Sequence, residues 1–158
     1  MVINSIGKIE SLISVTGLNT PLSSYATITL QIWLVHSYTK ECEIRLYGPD
    51  GSYIMISNKR GEYYANVFDG TLFLDSALNS VVTYLFSNNV LASPLRPEQP
   101  LSYFRGKNPN GQWKLWINDA FEGDSGVLNG VILNIQGFLF TLFIYFRNKN
   151  CNQNKTIK

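Results

Sequence analysis

Histidine is almost missing from this 158-residue chain, which has only His36, and cysteine is nearly as scarce, with Cys42 and Cys151. Two cysteines in segments of different character exclude a disulfide-dense scaffold. No CxxC, HExxH or similar spacing of metal ligands occurs. Charge is short too: 13 Lys and Arg with 11 Asp and Glu make 15% of the residues and a net charge of +2. An average soluble protein carries about 25%. The basic stripe that grips a phosphate backbone is therefore lacking, which argues against a nucleic-acid partner. A long apolar run is lacking as well. The longest, Phe138 to Phe146, spans nine residues including Thr141, whereas a membrane-spanning helix needs about 20. The N-terminus has no basic segment leading into an apolar stretch, so no signal peptide is read there.

What the chain has in excess is aromatic residues, at 13%, punctuated by 12 Gly and 6 Pro. Together with Val, Ile and Thr they predict an all-β domain. From Ile28 to His36 the pattern alternates, with Ile28, Leu30, Ile32, Leu34 and His36 on one face and Thr29, Gln31, Trp33 and Val35 on the other. That is a strand with one face in a core. Cys42, Ile44 and Leu46 alternate with Glu43 and Arg45, and Gly48-Pro49-Asp50-Gly51 supplies a turn, so 42–57 reads as a hairpin. Tyr63–Phe68, Val81–Phe86, Trp113–Ile117 and Val131–Ile135 read as further strands. Seven or eight short strands, with no amphipathic helix and no repeat, predict a β-sandwich of jelly-roll type. The domain is expected over 6–137, with residues 1–5 a stub. The apolar run and the Asn/Lys-rich end, 138–158, are expected outside it, as an extra strand or a loose tail. Asn154 heads the one glycosylation sequon.

Three blocks follow one another along this pattern. The first is His36-Ser37-Tyr38-Thr39-Lys40-Glu41-Cys42-Glu43-Ile44-Arg45-Leu46-Tyr47-Gly48-Pro49-Asp50-Gly51-Ser52, and the second is Phe73-Leu74-Asp75-Ser76-Ala77. The third begins Pro94-Leu95-Arg96-Pro97 and Pro100-Leu101-Ser102-Tyr103-Phe104-Arg105-Gly106. It continues through Gly111-Gln112-Trp113-Lys114-Leu115, Asn118-Asp119 and Gly123-Asp124-Ser125-Gly126-Val127-Leu128. In this order and spacing they resemble the P domain (Homo B domain) that follows the catalytic domain of kexin- and furin-like subtilisin proteases. The resemblance covers roughly 6–137. Lys40, Glu41, Cys42, Leu74 and Val131 depart from the family pattern, which trims acidic and large aromatic groups.

The resemblance implies a galactose-binding-domain-like sandwich that packs, in cis or in trans, against a subtilisin-like catalytic domain and stabilises or regulates it. It also implies a secretory or extracellular setting. Calcium is the cofactor it suggests, with Asp75, Asp119 and Asp124 as candidate ligands, since Ca²⁺ collects loop-borne carboxylates. Asp119 and Asp124 equally suit turns shaped by side-chain-to-backbone bonds. No enzyme is read from the chain's own residues. His36 is the one possible base, it shares a strand face with four aliphatic residues, and no nucleophile turn such as G-x-S-x-G occurs. Its ring is expected to bond the Tyr38 region or neighbouring backbone and lock the strand end. Cys42 is expected as a small buried hydrophobe. Trp33 and Tyr38 are candidates for a docking patch. A stand-alone extracellular module binding a glycan or a protein is the alternative reading.

Overall fold

The computed structural model describes residues 1–4, 7–137 and 141–147. Cys151 and the Asn154 sequon lie outside these. Among the described residues, nine strands form two antiparallel sheets. They are β1 (Val2–Asn4), β2 (Gly7–Val15), β3 (Thr27–His36), β4 (Cys42–Tyr47), β5 (Tyr53–Asn58), β6 (Phe68–Leu74), β7 (Gly111–Asp119), β8 (Ser125–Gln136) and β9 (Thr141–Arg147). The first sheet runs β1-β8-β3-β6 and the second β2-β7-β4-β5. That pair of orders is the double Greek key of a jelly roll, so the expected β-sandwich is the fold.

The alternation seen in the sequence explains the packing. Ile28, Leu30, Ile32, Leu34 and His36 of β3 are all buried, as are Cys42, Ile44 and Leu46 of β4 and Trp113, Leu115 and Ile117 of β7. All but His36 join one hydrophobic core between the sheets. Each fully buried Leu, Ile or Phe contributes roughly 1.5–3 kcal/mol. Trp113 finds a partner for its indole N–H in the Pro109 carbonyl at 2.8 Å and meets the Phe104 ring edge-on at 4.7 Å. Trp116, three residues on, faces outward, because the strand period reverses the side.

Two expected strands are corrected. Tyr63–Phe68 is a loop that becomes strand only at Phe68. Positive φ at Gly61 (104°), Glu62 (53°) and Asn66 (60°) turns the chain repeatedly there, and an extended backbone cannot form. Val81–Phe86 is also loop. Val81 and Phe86 are buried while Leu85 is 92% exposed, so neither alternating face is a core face. Its Val81 N–H is tied instead to the Arg96 carbonyl. Conversely β6, which sequence reading does not single out, is a full strand against β3.

The first and last of the described strands, β1 and β9, both join the first sheet. β1, within residues 1–5, pairs with Ser125–Val127 of β8. β9, within the run at 138–146 and reaching Arg147, pairs with residues 130–136 of the same strand. Since β3 occupies the other edge of β8, β1 and β9 share one edge. The free edge of β5 is blunted differently. Glu98 and Gln99 bond to it through Glu98 N–H to Ile56 O and Gln99 N–H to Met55 O, which hides ladder groups that would otherwise template aggregation.

Candidate functional site

Among the described residues, two groups of polar side chains bear on function, one at an end of the sandwich and one over the outer side of the second sheet. The first centres on His36, where β3 ends. His36 and Asp119, at the end of β7, are both fully buried, with Nε2 of His36 3.1 Å from Oδ2 of Asp119. The Tyr38 backbone N–H donates to Nδ1 at 3.1 Å, so Nδ1 is the acceptor and Nε2 carries the proton given to Asp119. The other Asp119 oxygen accepts the Phe121 N–H at 3.1 Å. Gly126 permits this closure, since a Cβ there would press on the imidazole and stand 2.7 Å from the Val35 carbonyl.

A histidine–aspartate pair beside Ser37 invites comparison with a catalytic triad, and the geometry rejects it. Both ring nitrogens are engaged, the ring is sealed from solvent, and the Ser37 hydroxyl donates to Asp124 at 2.6 Å rather than to the imidazole. The bond to Tyr38 is the one expected from sequence. The partnership with Asp119, 83 residues away, is not readable from local spacing.

Glu41 borders this end. Burial, then the carboxylates of Asp119 and Asp124, push its carboxyl above the ordinary range, opposed by His36. Its Oε2 is buried without a hydrogen-bond partner, as is Oγ1 of Thr39. Cys42 is fully buried. Burial first, then Asp119 and Glu41, drive its thiol far above the usual range, which leaves it inert.

The three carboxylates suggested for calcium do not converge. Asp124 lies near Asp119 at the His36 end, held by Ser37. Asp75 follows β6, whose Leu74 pairs with Thr29. His36 lies seven residues further along β3, a span of roughly 24 Å at strand rise. Asp75 accepts two backbone N–H bonds instead, from Leu101 at 2.7 Å and Ser102 at 2.8 Å. It thereby caps the short 3-10 turn Leu101–Phe104. Among the described residues no three His, Cys, Asp or Glu side chains are placed to hold a metal ion. The residues present do not fit a shared calcium site.

Trp33 lies on the outer face of the first sheet, half-buried, at a point where β3 bulges against both neighbours. Its ring rests over two glycines: a Cβ at Gly130 would stand 3.3 Å from the ring and one at Gly70 3.6 Å from the indole nitrogen. Tyr38 is half-buried beyond the end of the strand, where its backbone serves His36.

The outer side of the second sheet carries residues that sequence reading did not single out. The Arg45 guanidinium sits 4.9 Å from the Tyr53 ring and 4.7 Å from Trp116, while Lys114 sits 4.6 Å from Tyr47. Glu43 holds Arg45 by a 2.5 Å bond from Nε. Cross-strand stacking of cation on ring fixes these side chains into a flat, rigid surface. The outward set Glu43, Arg45 and Tyr47 is what the hairpin's period implies, and it was the available signal.

These features define a jelly-roll module whose lone histidine is a structural tie. Residues 25–135, more than two thirds of the chain, match the family model of the proprotein convertase P-domain. The chain belongs to that family, whose P domains are accessory, non-catalytic domains associated with subtilisin-like convertases. A search of curated proteins found no match. The family match starts just before β3 and ends within β8, so β1, β2 and β9 are outside it.

Proposed function

We propose that this chain is the P domain serving a subtilisin-like serine endopeptidase of the proprotein convertase type, and that it stabilises or regulates that catalytic domain in proteolysis. The family match over 25–135 carries the reading. The sealed His36 supports a role without chemistry of its own. Apolar side chains on the outer face of the first sheet support a docking role: Trp33, Leu72, Leu74 and Ile132 are all only half-buried, interspersed with Thr29, Gln31 and Asn134. Burying such surface is worth roughly 25 cal/mol per Å². A catalytic domain that binds through its folded state is stabilised by mass action, or by tethering if the two are fused. The setting that goes with this role is secretory or extracellular. Among the described residues no helix is long and apolar enough to cross a membrane.

The test fuses the chain behind a subtilisin-like catalytic domain and follows loss of peptidase activity at elevated temperature. The expected result is a longer half-life than with an unrelated β-sandwich in the same position, shortened again by Trp33→Ser. Equal half-lives would refute the reading. The chain alone should leave basic-site peptides uncut, and cleavage abolished by His36→Ala would refute the accessory role.

A further inference from the structure

At the β5 edge of the second sheet a pocket of about 340 Å³ is lined by Tyr53, Ile54, Gln99, Pro100 and Tyr103. It falls at the small end of ligand pockets, which run from about 300 to 1,000 Å³. Its two tyrosines are nearly half exposed, at 45% and 47%, and each is braced by a cation. Arg45 lies against Tyr53, and the Lys107 ammonium is 4.0 Å from the Tyr103 ring centre. Tyr103 rides on the turn capped by Asp75, so its position is fixed from below as well. The Gln99 side chain is oriented too. Its Oε1 accepts the Met55 N–H at 2.7 Å, which commits the oxygen and leaves the amide hydrogens as donors.

The charges around the pocket are already matched. Arg45 pairs with Glu43, Lys107 with Asp50 at 3.2 Å, and Arg60 with Glu98 at 2.9 Å. The site therefore offers two rigid aromatic walls and a directed amide donor, and among the described residues the two cations that brace the walls are each already paired with a carboxylate. Rings held in place before binding lose little entropy when a ligand arrives.

We propose that this pocket binds a neutral pyranose, the terminal sugar of a glycan. A pyranose has a face of C–H groups that lies against a tyrosine ring and a rim of hydroxyls that accepts from Gln99. Its single ring suits the volume. An acidic sugar would need an unpaired cation. A proline-rich peptide also favours tyrosines, but its left-handed helix rises about 3.1 Å per residue with three residues per turn, so it needs a groove of repeated aromatic slots. The inference stands whether or not a protease partner exists.

The experiment titrates the full chain with methyl glucoside, methyl galactoside, methyl mannoside and N-acetylglucosamine, reading tyrosine ring and glutamine side-chain resonances by NMR. Saturable shifts confined to Tyr53, Tyr103 and Gln99 are expected for at least one sugar, with a dissociation constant on the order of 1 mM, as suits so small a ligand. Tyr103→Ala should weaken binding at least tenfold, and Gln99→Ala several-fold, with both melting temperatures close to that of the parent. Tyr25→Ala, at a residue 81% exposed that does not line the pocket, should leave binding intact. Three outcomes would overturn the proposal: no sugar of the panel shifts these residues, Tyr103→Ala binds as well as the parent, or only sialic acid or a proline-rich decapeptide perturbs them.

Discussion

Asp119 and Asp75 each accept two hydrogen bonds, and each was expected from sequence as a calcium ligand, yet they hold together different kinds of structure. Asp119 is fully buried and binds a side chain from another strand together with one backbone N–H. Asp75 is half-buried and binds only backbone, at the start of a four-residue turn. The first ties the two sheets together where β3 and β7 end. The second positions a surface turn that sends Phe104 into the core and leaves Tyr103 in the pocket wall. The carboxylate chemistry is the same in both. What separates them is whether water can replace a lost partner, and that decides the cost of removing each.

The largest effect follows from the sealed partner. In Asp119→Ala the His36 N–H and the Phe121 N–H both lose their acceptor, and the imidazole has no route to water. A loss of about 3 kcal/mol is expected, seen as a melting temperature lower by roughly 10 °C in thermal denaturation. Asp119→Asn keeps one oxygen to accept and should lose less than half as much. If Asp119→Ala were no worse than Asp75→Ala, the contrast between sealed and open carboxylates would fail.

Asp75→Ala removes a cap, and water can take over part of its work, so about 1.5 kcal/mol is expected. The loss should be equal with and without millimolar calcium, because both oxygens already serve backbone donors. Amide exchange at Leu101 and Ser102 should quicken while that at Phe121 stays slow. A calcium-dependent difference would restore a metal role for Asp75.

Arg45→Ala probes the outer face, where partners are exchanged readily with solvent. Its contacts with Tyr53 and Trp116 are each worth about 0.5–1 kcal/mol at such a site. A drop of about 3 °C in melting temperature is therefore expected. The tyrosine resonances of the pocket should broaden as the brace under Tyr53 is lost.

Much of this fold is legible in the sequence because period-two alternation maps directly onto burial. Ile28 to His36 and the 42–57 hairpin are where the pattern places them, including the Gly48–Gly51 turn. The pattern misleads where the backbone turns at non-glycine residues: Glu62 has no chemistry that announces a positive φ, and Asn66 tolerates one without requiring it. It is silent at β6, where Asp69-Gly70 interrupts the apolar alternation of Phe68–Leu74. The sites were harder to read. Asp75, Asp119 and Asp124 stand out as loop-borne acids, but that Asp75 stands apart from Asp119 depends on strand register between positions 75 and 119. Tyr53, Gln99 and Tyr103 meet only because the segment after Pro97 is laced to the β5 edge. No local pattern encodes that meeting.

The smallest effect tests the sealed end from its rim. Glu41 has a carboxyl whose affinity for protons is raised above its usual value near 4.5, by burial first and then by Asp119 and Asp124. In the window above that value the folded chain binds more protons than the unfolded one, so stability contributed by this group falls as pH rises through the window. Above it, ionised Glu41 opposes folding by a constant amount; below it, that opposition is gone. Glu41→Gln removes the charge at every pH. It should therefore raise the melting temperature by about 1–2 °C at pH 8, with the gain shrinking to nothing as pH falls toward 4. In an Asp124→Asn background the gain should be smaller, because one of the neighbouring charges is already gone. A gain independent of pH would mean that Glu41 acts through packing alone, and the charge held at this end would then belong to Asp119 and Asp124 without it.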